Sequence, residues 1–268
     1  MITYYSIGFL LHRATIVLSL LLITSCDKIC DISCDVKDGP GAIVLTFDDK
    51  YINNWYKADS ILSQYNWKAT FCVTKYATLT EDEKQKLLSL QRKGHEIASH
   101  GAEHLNALEY LSNHSINEYI DEEILPSINK MRNDSLIITS FAYPGGVRSV
   151  ELDLALYEYF SVLRGTMYDR SNLINQSCFL IYGSDEVLVK GLGIDSHYEH
   201  FNIDHIMDLV KYAEEEKIAL ILYGHNISDN GSTDYVTTYE TIERICTYAS
   251  NNNLEFLTLN DLISYNLK

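Results

Sequence analysis

The sequence is poor in positive charge. Its 268 residues include 21 lysines and arginines against 37 aspartates and glutamates, which gives a formal net charge of −16. The pI calculated from the sequence is near 4.9. A chain this acidic repels a phosphate backbone, so its composition argues against nucleic acid as a partner.

The N-terminal region lacks a hydrophobic run long enough to cross a membrane. The apolar stretch at residues 14–24 follows His12-Arg13 and has the length of the apolar region of a secretory signal. Its end, Ile23-Thr24-Ser25-Cys26, resembles a bacterial lipobox, in which Cys26 becomes the lipidated first residue of the mature protein. We therefore expect a lipoprotein signal peptide at residues 1–25 and a tether at residues 26–41. A lipid anchor would hold the protein to a membrane of the bacterial cell envelope, on its periplasmic or surface side. A plain signal peptide with a chance cysteine and an uncleaved anchor are the alternatives.

The six cysteines lack the spacing of a thiolate metal site. Cys30 and Cys34 lie in the tether, and the oxidising compartment expected after secretion would allow them to pair. Cys72, Cys178 and Cys246 lie inside or near predicted elements, so we expect them to be buried small hydrophobic residues.

The chain after residue 41 contains no linker-like stretch, and strand-like and helical patterns alternate along it. This alternation predicts an α/β fold, a distorted (β/α) barrel of seven to eight parallel strands that is similar to a TIM barrel. The barrel would form one domain over residues 42–268. Strands are predicted at residues 42–47, 69–74, 95–99, 137–143, 161–166, 187–194, 218–223 and 254–259. The main helices are predicted at residues 54–65, 81–93, 115–133, 150–159, 203–216 and 237–250.

Residues with metal-binding side chains follow two of the predicted strands. Asp48 and Asp49 end one apolar run, and His100 and His104 follow another about fifty residues later. Two histidines four residues apart and one carboxylate make a three-ligand set that leaves coordination positions open. The aspartate beside the ligand aspartate is a candidate base, and the combination predicts metal-assisted hydrolysis.

Other polar residues also fall where predicted strands end. In α/β barrels the catalytic residues lie at the carboxyl ends of the strands, which all open at one mouth. The pattern therefore predicts that the following residues gather at that mouth: Asp48, Asp49, His100, Pro144-Gly145-Gly146, Arg164, Asp195 and His225.

Five motifs, in order and with matching spacing, resemble the polysaccharide deacetylase family, which is also known as the NodB homology domain or carbohydrate esterase family 4. The resemblance runs from about Ala42 to Leu262. The motifs are Thr46-Phe47-Asp48-Asp49, Lys68-Ala69-Thr70-Phe71, Gly94-His95-Glu96-Ile97-Ala98-Ser99-His100 through His104, Tyr143-Pro144-Gly145-Gly146 and Leu222-Tyr223-Gly224-His225.

The resemblance implies a role for each residue of the acidic and histidine motifs. Asp49, His100 and His104 would be the metal ligands, and Asp48 would be the general base. Zinc is the default ion for two histidines and one aspartate, and cobalt or nickel is compatible with the same ligands.

The last two motifs imply groups that contact the substrate. The backbone N–H of Gly145 would stabilise the oxyanion, with Tyr143 and Pro144 beside the substrate. His225 would protonate the leaving group, and Leu222 would line the pocket for the acetyl methyl group. Asp195 could orient His225. His197 and His200, on the same predicted loop as Asp195, are further candidates for substrate contact.

The sequence departs from the family pattern at two positions. Ala142 occupies the place of an arginine that normally pairs with the base, and Arg164 on the next predicted strand could supply that charge instead. Gly101 occupies the place of a serine or threonine whose hydroxyl normally steadies the loop. Its absence predicts a looser second histidine ligand.

These residues together predict a metal-dependent N- or O-deacetylase of an acetylated polysaccharide or amino-sugar oligomer. The alternative from another class is a non-catalytic glycan-binding lipoprotein that has kept the deacetylase fold. Another alternative is an enzyme of the same fold that cleaves a different amide or ester. We expect an acetylated carbohydrate substrate, membrane association through the lipid, and a monomer.

Overall fold

The computed structural model describes residues 39–167, 177–180, 188–229 and 235–267. The predicted signal peptide and the cysteines Cys26, Cys30 and Cys34 lie outside the described residues. Among the helices described, none has both the length and the apolar composition that a bilayer crossing demands.

Parallel strands close into a barrel. The described strands are β1 (Ala42–Asp49), β2 (Thr70–Val73), β3 (Glu96–Ser99), β4 (Ser140–Ala142), β5 (Val162–Met167), β6 (Phe179–Leu180), β7 (Leu188–Gly193), β8 (Ala219–Gly224), β9 (Asn226–Ile227), β10 (Val236–Thr237) and β11 (Glu255–Leu257). Strands β1 to β5, β7 and β8 pair side by side in parallel, and β8 returns to β1. The predicted barrel is therefore confirmed, with seven strands in the closed ring.

One seam of the barrel accounts for its distortion. On the side of β1 away from β8, residues 42–44 pair with β11, whereas Thr46 to Asp49 pair with β2. The eighth parallel strand, β11, therefore pairs only with the first residues of β1, and the closed ring still has seven strands. The short strand β6 is antiparallel and pairs with β8.

Helices connect the strands and cover the outside of the barrel. They are α1 (Ile52–Leu62), α2 (Glu81–Arg92), α3 (Ala107–Leu111), α4 (Ile116–Tyr119), α5 (Leu125–Asn133), α6 (Val150–Leu156), α7 (Ile203–Glu215), α8 (Tyr239–Asn251) and α9 (Asp261–Leu267). The serine predicted to begin a helix, Ser115, forms a capping box with Glu118. A π-helical turn, Ile120–Ile124, joins α4 to α5 just before Pro126.

Side chains alternate between the two faces of the barrel wall, because successive residues of a strand point to opposite sides. Ile43, Leu45 and Phe47 of β1 join the large apolar cluster that includes Trp55 of α1, so they face the helices. The alternate residues belong to a separate cluster of mostly small side chains, which include Ala42, Val44, Cys72, Ala98, Ala142 and Ala219. These small residues face the interior. Cys72, Cys178 and Cys246 are buried free thiols, as expected.

Candidate active site

Side chains from several strand ends line a cavity of about 200 Å³ at the carboxyl-end mouth of the barrel. The acidic pair ends β1, His100 follows β3, and His225 follows β8. The lining residues are Asp48, Asp49, His100, His104, Gly145, Thr166, Tyr198, Tyr223, His225 and Tyr235. The structure thus brings the two aspartates and three of the candidate histidines to one place.

Asp49, His100 and His104 are arranged as a possible metal centre. One nitrogen or oxygen of each residue lies within 4.8 Å of the other two. Asp49 Oδ1 is 3.5 Å from His104 Nε2 and 3.9 Å from His100 Nε2. Metal bonds of about 2.0–2.2 Å at tetrahedral angles place ligand atoms roughly 3.4 Å apart. The three side chains therefore fit one small divalent ion with only minor shifts.

His100 is held in the form that a metal ligand needs. Its ring is buried, and Nδ1 lies 2.8 Å from the carbonyl oxygen of Ala142. This contact fits the tautomer with the proton on Nδ1, which leaves the lone pair of Nε2 directed at Asp49. Burial lowers the pKa of His100 to about 4, although the charge of Asp48 opposes that shift. The ring is therefore neutral at pH 7.

Two of the three candidate ligands have strained backbones. The φ angle is 82° at Asp49 and 64° at His104. Side chains other than glycine rarely adopt these angles, because the Cβ atom crowds the backbone. Strain of this kind concentrates at functional sites, where the surrounding structure holds it in place.

Asp48 forms a buried ion pair with Arg164. Asp48 Oδ1 accepts a hydrogen bond from Arg164 Nη2. Because β1 and β5 are not adjacent in the ring, this pair crosses the barrel interior. Burial raises the pKa of Asp48, but the charges of Arg164, His100 and His225 outweigh it, so its pKa lies below the ordinary value. Asp48 is therefore ionised at neutral pH, as a general base must be.

The turn after β4 lies at the cavity, but only part of it forms the wall. Gly145 lines the cavity and has a φ angle of 61°. Tyr143 and Pro144, which were expected beside the substrate, are buried and do not line the cavity. The hydroxyl of Tyr143 donates to Asp153 Oδ1 at 2.7 Å. Both residues thus support the turn from behind.

Leu222 also lies outside the cavity wall, although it was expected to receive the acetyl methyl group. It is fully buried in the cluster that faces the helices, and it pairs with Leu45 of β1. The next residue, Tyr223, points to the other side of the strand and lines the cavity. The motif located the correct strand end, but the alternation of side chains places the tyrosine at the site.

His225 is fixed by contacts from three elements. Its Nδ1 lies 2.6 Å from Asp195 Oδ2, and its backbone N–H donates to Asp195 Oδ1 at 3.1 Å. Asp195 also accepts a hydrogen bond from Thr237 Oγ1 at 2.6 Å. On the opposite side, Trp55 Nε1 donates to the carbonyl oxygen of His225 at 2.8 Å. Asp195 therefore makes the contact with His225 that the sequence predicted.

The surroundings of His225 favour its protonated form. Burial lowers the pKa of His225, but the hydrogen bond with Asp195 and the charges of Asp48, Asp195 and Asp49 raise it by more. Its pKa therefore lies above the ordinary value. A histidine in this state can donate a proton at neutral pH.

Aromatic rings that the motifs did not indicate complete the cavity wall. Tyr198 precedes α7, and Tyr235 precedes β10. The ring of Tyr235 lies 4.7 Å from that of His225 and 6.0 Å from that of Tyr198. His197 and His200, which flank Tyr198, do not line the cavity, and His200 Nε2 lies 3.0 Å from the carbonyl oxygen of Gly193. The only sequence signal for this wall was the cluster of polar aromatic residues around Asp195.

The structure resembles several solved proteins over most of its length. It matches the Xyl-CE4 domain of a multidomain xylanase from the hindgut metagenome of Trinervitermes trinervoides, with a TM-score of 0.55 and 16% identity over 84% of this chain and 91% of that one. A family 4 acetyl xylan esterase from Clostridium thermocellum, solved with a cobalt ion, gives a TM-score of 0.55 and 17% identity over 83% and 90% of the two chains. The catalytic domain of a peptidoglycan N-acetylglucosamine deacetylase from Eubacterium rectale gives a TM-score of 0.54 and 17% identity over the same shares. These likenesses show the fold.

The sequence itself matches the polysaccharide deacetylase family over residues 35–159. This segment contains the acidic pair, both candidate histidine ligands and the turn after β4. No curated protein matches the sequence. Over these residues the family match confirms the resemblance to polysaccharide deacetylases that the motifs predicted.

Proposed function

We propose that this chain is a metal-dependent hydrolase that removes acetyl groups from an acetylated polysaccharide or amino-sugar oligomer. The observation that carries the proposal is that a candidate metal centre, a buried anionic base and a histidine with a raised pKa open onto one cavity. These are Asp49 with His100 and His104, the pair Asp48–Arg164, and the pair His225–Asp195.

The donor set fits a divalent ion, of which zinc is the first expectation and cobalt or nickel are compatible. An ion held by Asp49, His100 and His104 would polarise the acetyl carbonyl and lower the pKa of water at the site. The acetyl xylan esterase of the same fold was solved in complex with a cobalt ion, which supports metal binding by this chain.

The proton movements involve residues on either side of the cavity. Asp48 takes a proton from the attacking water, and Arg164 keeps the carboxylate ionised and in place. The N–H of Gly145 stabilises the charge that develops on the acetyl oxygen. His225 then donates its proton to the departing amine or alcohol, while Asp195 holds the ring. General acid–base groups of this kind each contribute about 10²–10⁴-fold in rate.

The cavity wall suits a sugar. Tyr198 and Tyr235 offer flat apolar faces with polar hydroxyl groups beside the reacting centre. The relatives are described as acting on xylan esters or on N-acetylglucosamine of peptidoglycan, which supports an acetylated glycan as the substrate class.

Acetate release tests this function. The metal-loaded protein should release acetate from at least one of acetylated xylan, N-acetylglucosamine oligomers and peptidoglycan. The matched control is Asp48→Asn, which removes the base and keeps the three metal ligands, so activity should fall about 10²–10⁴-fold while metal content is unchanged. Binding of a glycan without acetate release by the parent protein would support the non-catalytic alternative.

We further propose the predicted lipid anchor, which the motif around Cys26 supports. It implies the predicted division into a signal peptide, a tether at residues 26–41 and a catalytic domain at residues 42–268. Cys26→Ala should abolish labelling by a palmitate analogue and release the protein from the membrane fraction of the producing bacterium. Loss of labelling with continued membrane retention would instead support an uncleaved anchor.

A further inference from the structure

Glu123 lies in the π-helical turn between α4 and α5, and its side chain is completely buried. A carboxylate in this position must be matched by hydrogen-bond donors, because burial of an unpaired charge is costly. The donors come from the loop that carries His104. Glu123 Oε2 accepts from the backbone N–H of Glu103 at 2.7 Å, and Oε1 accepts from that of Leu105 at 2.9 Å.

The main chain of Glu123 holds the same loop. Its carbonyl oxygen accepts a hydrogen bond from the N–H of Ala102 at 2.9 Å. One residue of the helix therefore binds three amides of the loop, those of Ala102, Glu103 and Leu105.

Gly101 fits this arrangement because it leaves space for the carboxylate. A Cβ atom at position 101 would lie 1.9 Å from Glu123 Oε1, and the φ angle there is +86°. The family pattern has a serine or threonine hydroxyl at this position. Here a carboxylate from twenty-two residues further along the chain fills the space beside the glycine. The expectation of a looser loop at Gly101 is therefore offset by a different contact.

His104 depends on this support more than His100 does. The side chain of His100 is 1% exposed, whereas that of His104 is 40% exposed and gains little from packing. The backbone of His104 is also strained, with a φ angle of 64°. The position of its ring therefore depends on the loop backbone, which Glu123 holds at Ala102, Glu103 and Leu105.

We propose that Glu123 is the positioning residue for His104, and that it replaces with a carboxylate the loop support missing at Gly101. This inference rests on the proposed metal centre. Its consequence is that metal affinity depends on a helix residue that does not touch the ion. Groups that orient a metal ligand typically change affinity by about 10–100-fold when they are removed.

The test compares Glu123→Gln with Glu96→Gln. Glu96 is also a buried carboxylate with several donors, from Thr70 Oγ1, Thr139 Oγ1 and Asn260 N–H, but it lies at the start of β3, away from the cavity mouth. Zinc affinity is measured by competition with a chromogenic chelator, and thermal unfolding is measured on the metal-free proteins. Both variants should unfold at lower temperature, but only Glu123→Gln should lose zinc affinity, by about 10–100-fold.

The outcomes separate the inference from the proposed function. A parent protein that binds no zinc contradicts the metal centre itself. A parent protein that binds zinc, together with a Glu123→Gln variant of equal affinity, overturns the role of Glu123 and leaves the metal centre intact. Hydrogen exchange in the metal-free proteins gives a second readout. The amides of Glu103 and Leu105 should exchange faster in Glu123→Gln and at the parent rate in Glu96→Gln.

Gly101→Ala tests the same contact from the other side, and it remains informative if the Glu123 variants do not fold. The added methyl group should displace the carboxylate and lower zinc affinity. Where Glu123→Ala folds, the loss on adding Gly101→Ala should be smaller in that background, because the clash is gone while the backbone strain at position 101 is common to both. Parent affinity in the single Gly101→Ala variant would contradict the proposal.

Discussion

Ala142 and Arg164 are direct partners in the register between β4 and β5. Ala142 is the position at which the family pattern has an arginine, and Arg164 lies beside it on the neighbouring strand with its side chain completely buried. Both side chains face the barrel interior, so a guanidinium group from either strand enters the same space. The charge beside Asp48 is thus supplied one strand further around the ring, and the small side chain of Ala142 leaves room for it.

Arg164→Ala should lower deacetylation and change its pH dependence. Asp48 has a depressed pKa because Arg164 and the nearby histidines outweigh the effect of burial. Without Arg164 the pKa of Asp48 rises, so the acidic limb of the rate profile should move to higher pH. A pH–rate profile of the variant measures the shift. An unchanged limb would contradict the ion pair as the cause of the depressed pKa.

The double variant Arg164→Ala/Ala142→Arg should recover part of the lost activity. It returns the guanidinium to β4 and keeps the interior volume nearly constant, since one arginine and one alanine exchange places. Ala142→Arg alone is the matched control, and it should be destabilised by overpacking and by a second buried charge. We expect the double variant to be more active than Arg164→Ala. Equal activity of the double variant and Arg164→Ala would argue that a guanidinium group from position 142 does not replace one from position 164.

His100→Ala and His104→Ala should both lose zinc, but they should differ in stability. His100 is buried and hydrogen-bonded to the carbonyl oxygen of Ala142, so its removal leaves a cavity and an unsatisfied acceptor. We expect a cost of about 1–3 kcal/mol in the free energy of unfolding of the metal-free protein. Removal of the exposed His104 ring should lower this free energy of unfolding by roughly 0.5 kcal/mol or less. Denaturant unfolding with chelator present checks the difference, and stoichiometric zinc in His104→Ala would refute its role as a ligand.

Asp195→Asn should move the alkaline limb of the rate profile to lower pH. His225 must be protonated to act as the acid, and its raised pKa keeps it protonated to a higher pH than an ordinary histidine. Asp195 contributes to that shift through its hydrogen bond and its charge, so its neutralisation lowers the pKa. The profile of kcat against pH measures the change. In a His225→Asn control the alkaline limb should disappear. An alkaline limb that persists in this control would report the titration of a group other than His225.

Tyr235→Ala should weaken the binding of long substrates more than that of short ones. Its ring is 44% exposed beside His225, where it can cover a sugar unit next to the reacting acetyl group. Aromatic contacts are worth about 0.5–1.5 kcal/mol beyond their buried area, which corresponds to several-fold in KM. KM for an acetylated oligosaccharide should rise, whereas KM for a small acetyl ester should change little. Equal effects on both substrates would place the ring at the reacting centre only.

Much of the fold was predictable because the strand–helix alternation is regular and each motif ends a strand. The face of each strand was less predictable, as Leu222 and Tyr223 show. A motif identifies the strand end, but a shift of one residue moves a side chain from the cavity to the helices. The strand and helix periodicity also gave no indication that Tyr198 and Tyr235 line the cavity, because both residues lie in irregular segments.

The contact between Glu123 and the loop of His104 could not be predicted from the sequence for a different reason. It lies in a stretch that was predicted to be helical, and nothing in that pattern indicates a contact with residues about twenty positions earlier. The π-helical turn changes the direction of its side chain locally. Contacts of this kind depend on tertiary packing, which periodicity does not report.

The pairing of β1 has a consequence for how this enzyme could acquire new substrates. Its first residues pair with β8 on one side and β11 on the other, and its last residues pair with β2. Asp48 and Asp49 are therefore built into the barrel wall, whereas Tyr198 and Tyr235 lie in connecting segments. Insertions or substitutions in those segments can alter which molecules the cavity admits while the acidic pair stays in place, so selectivity and chemistry can evolve separately.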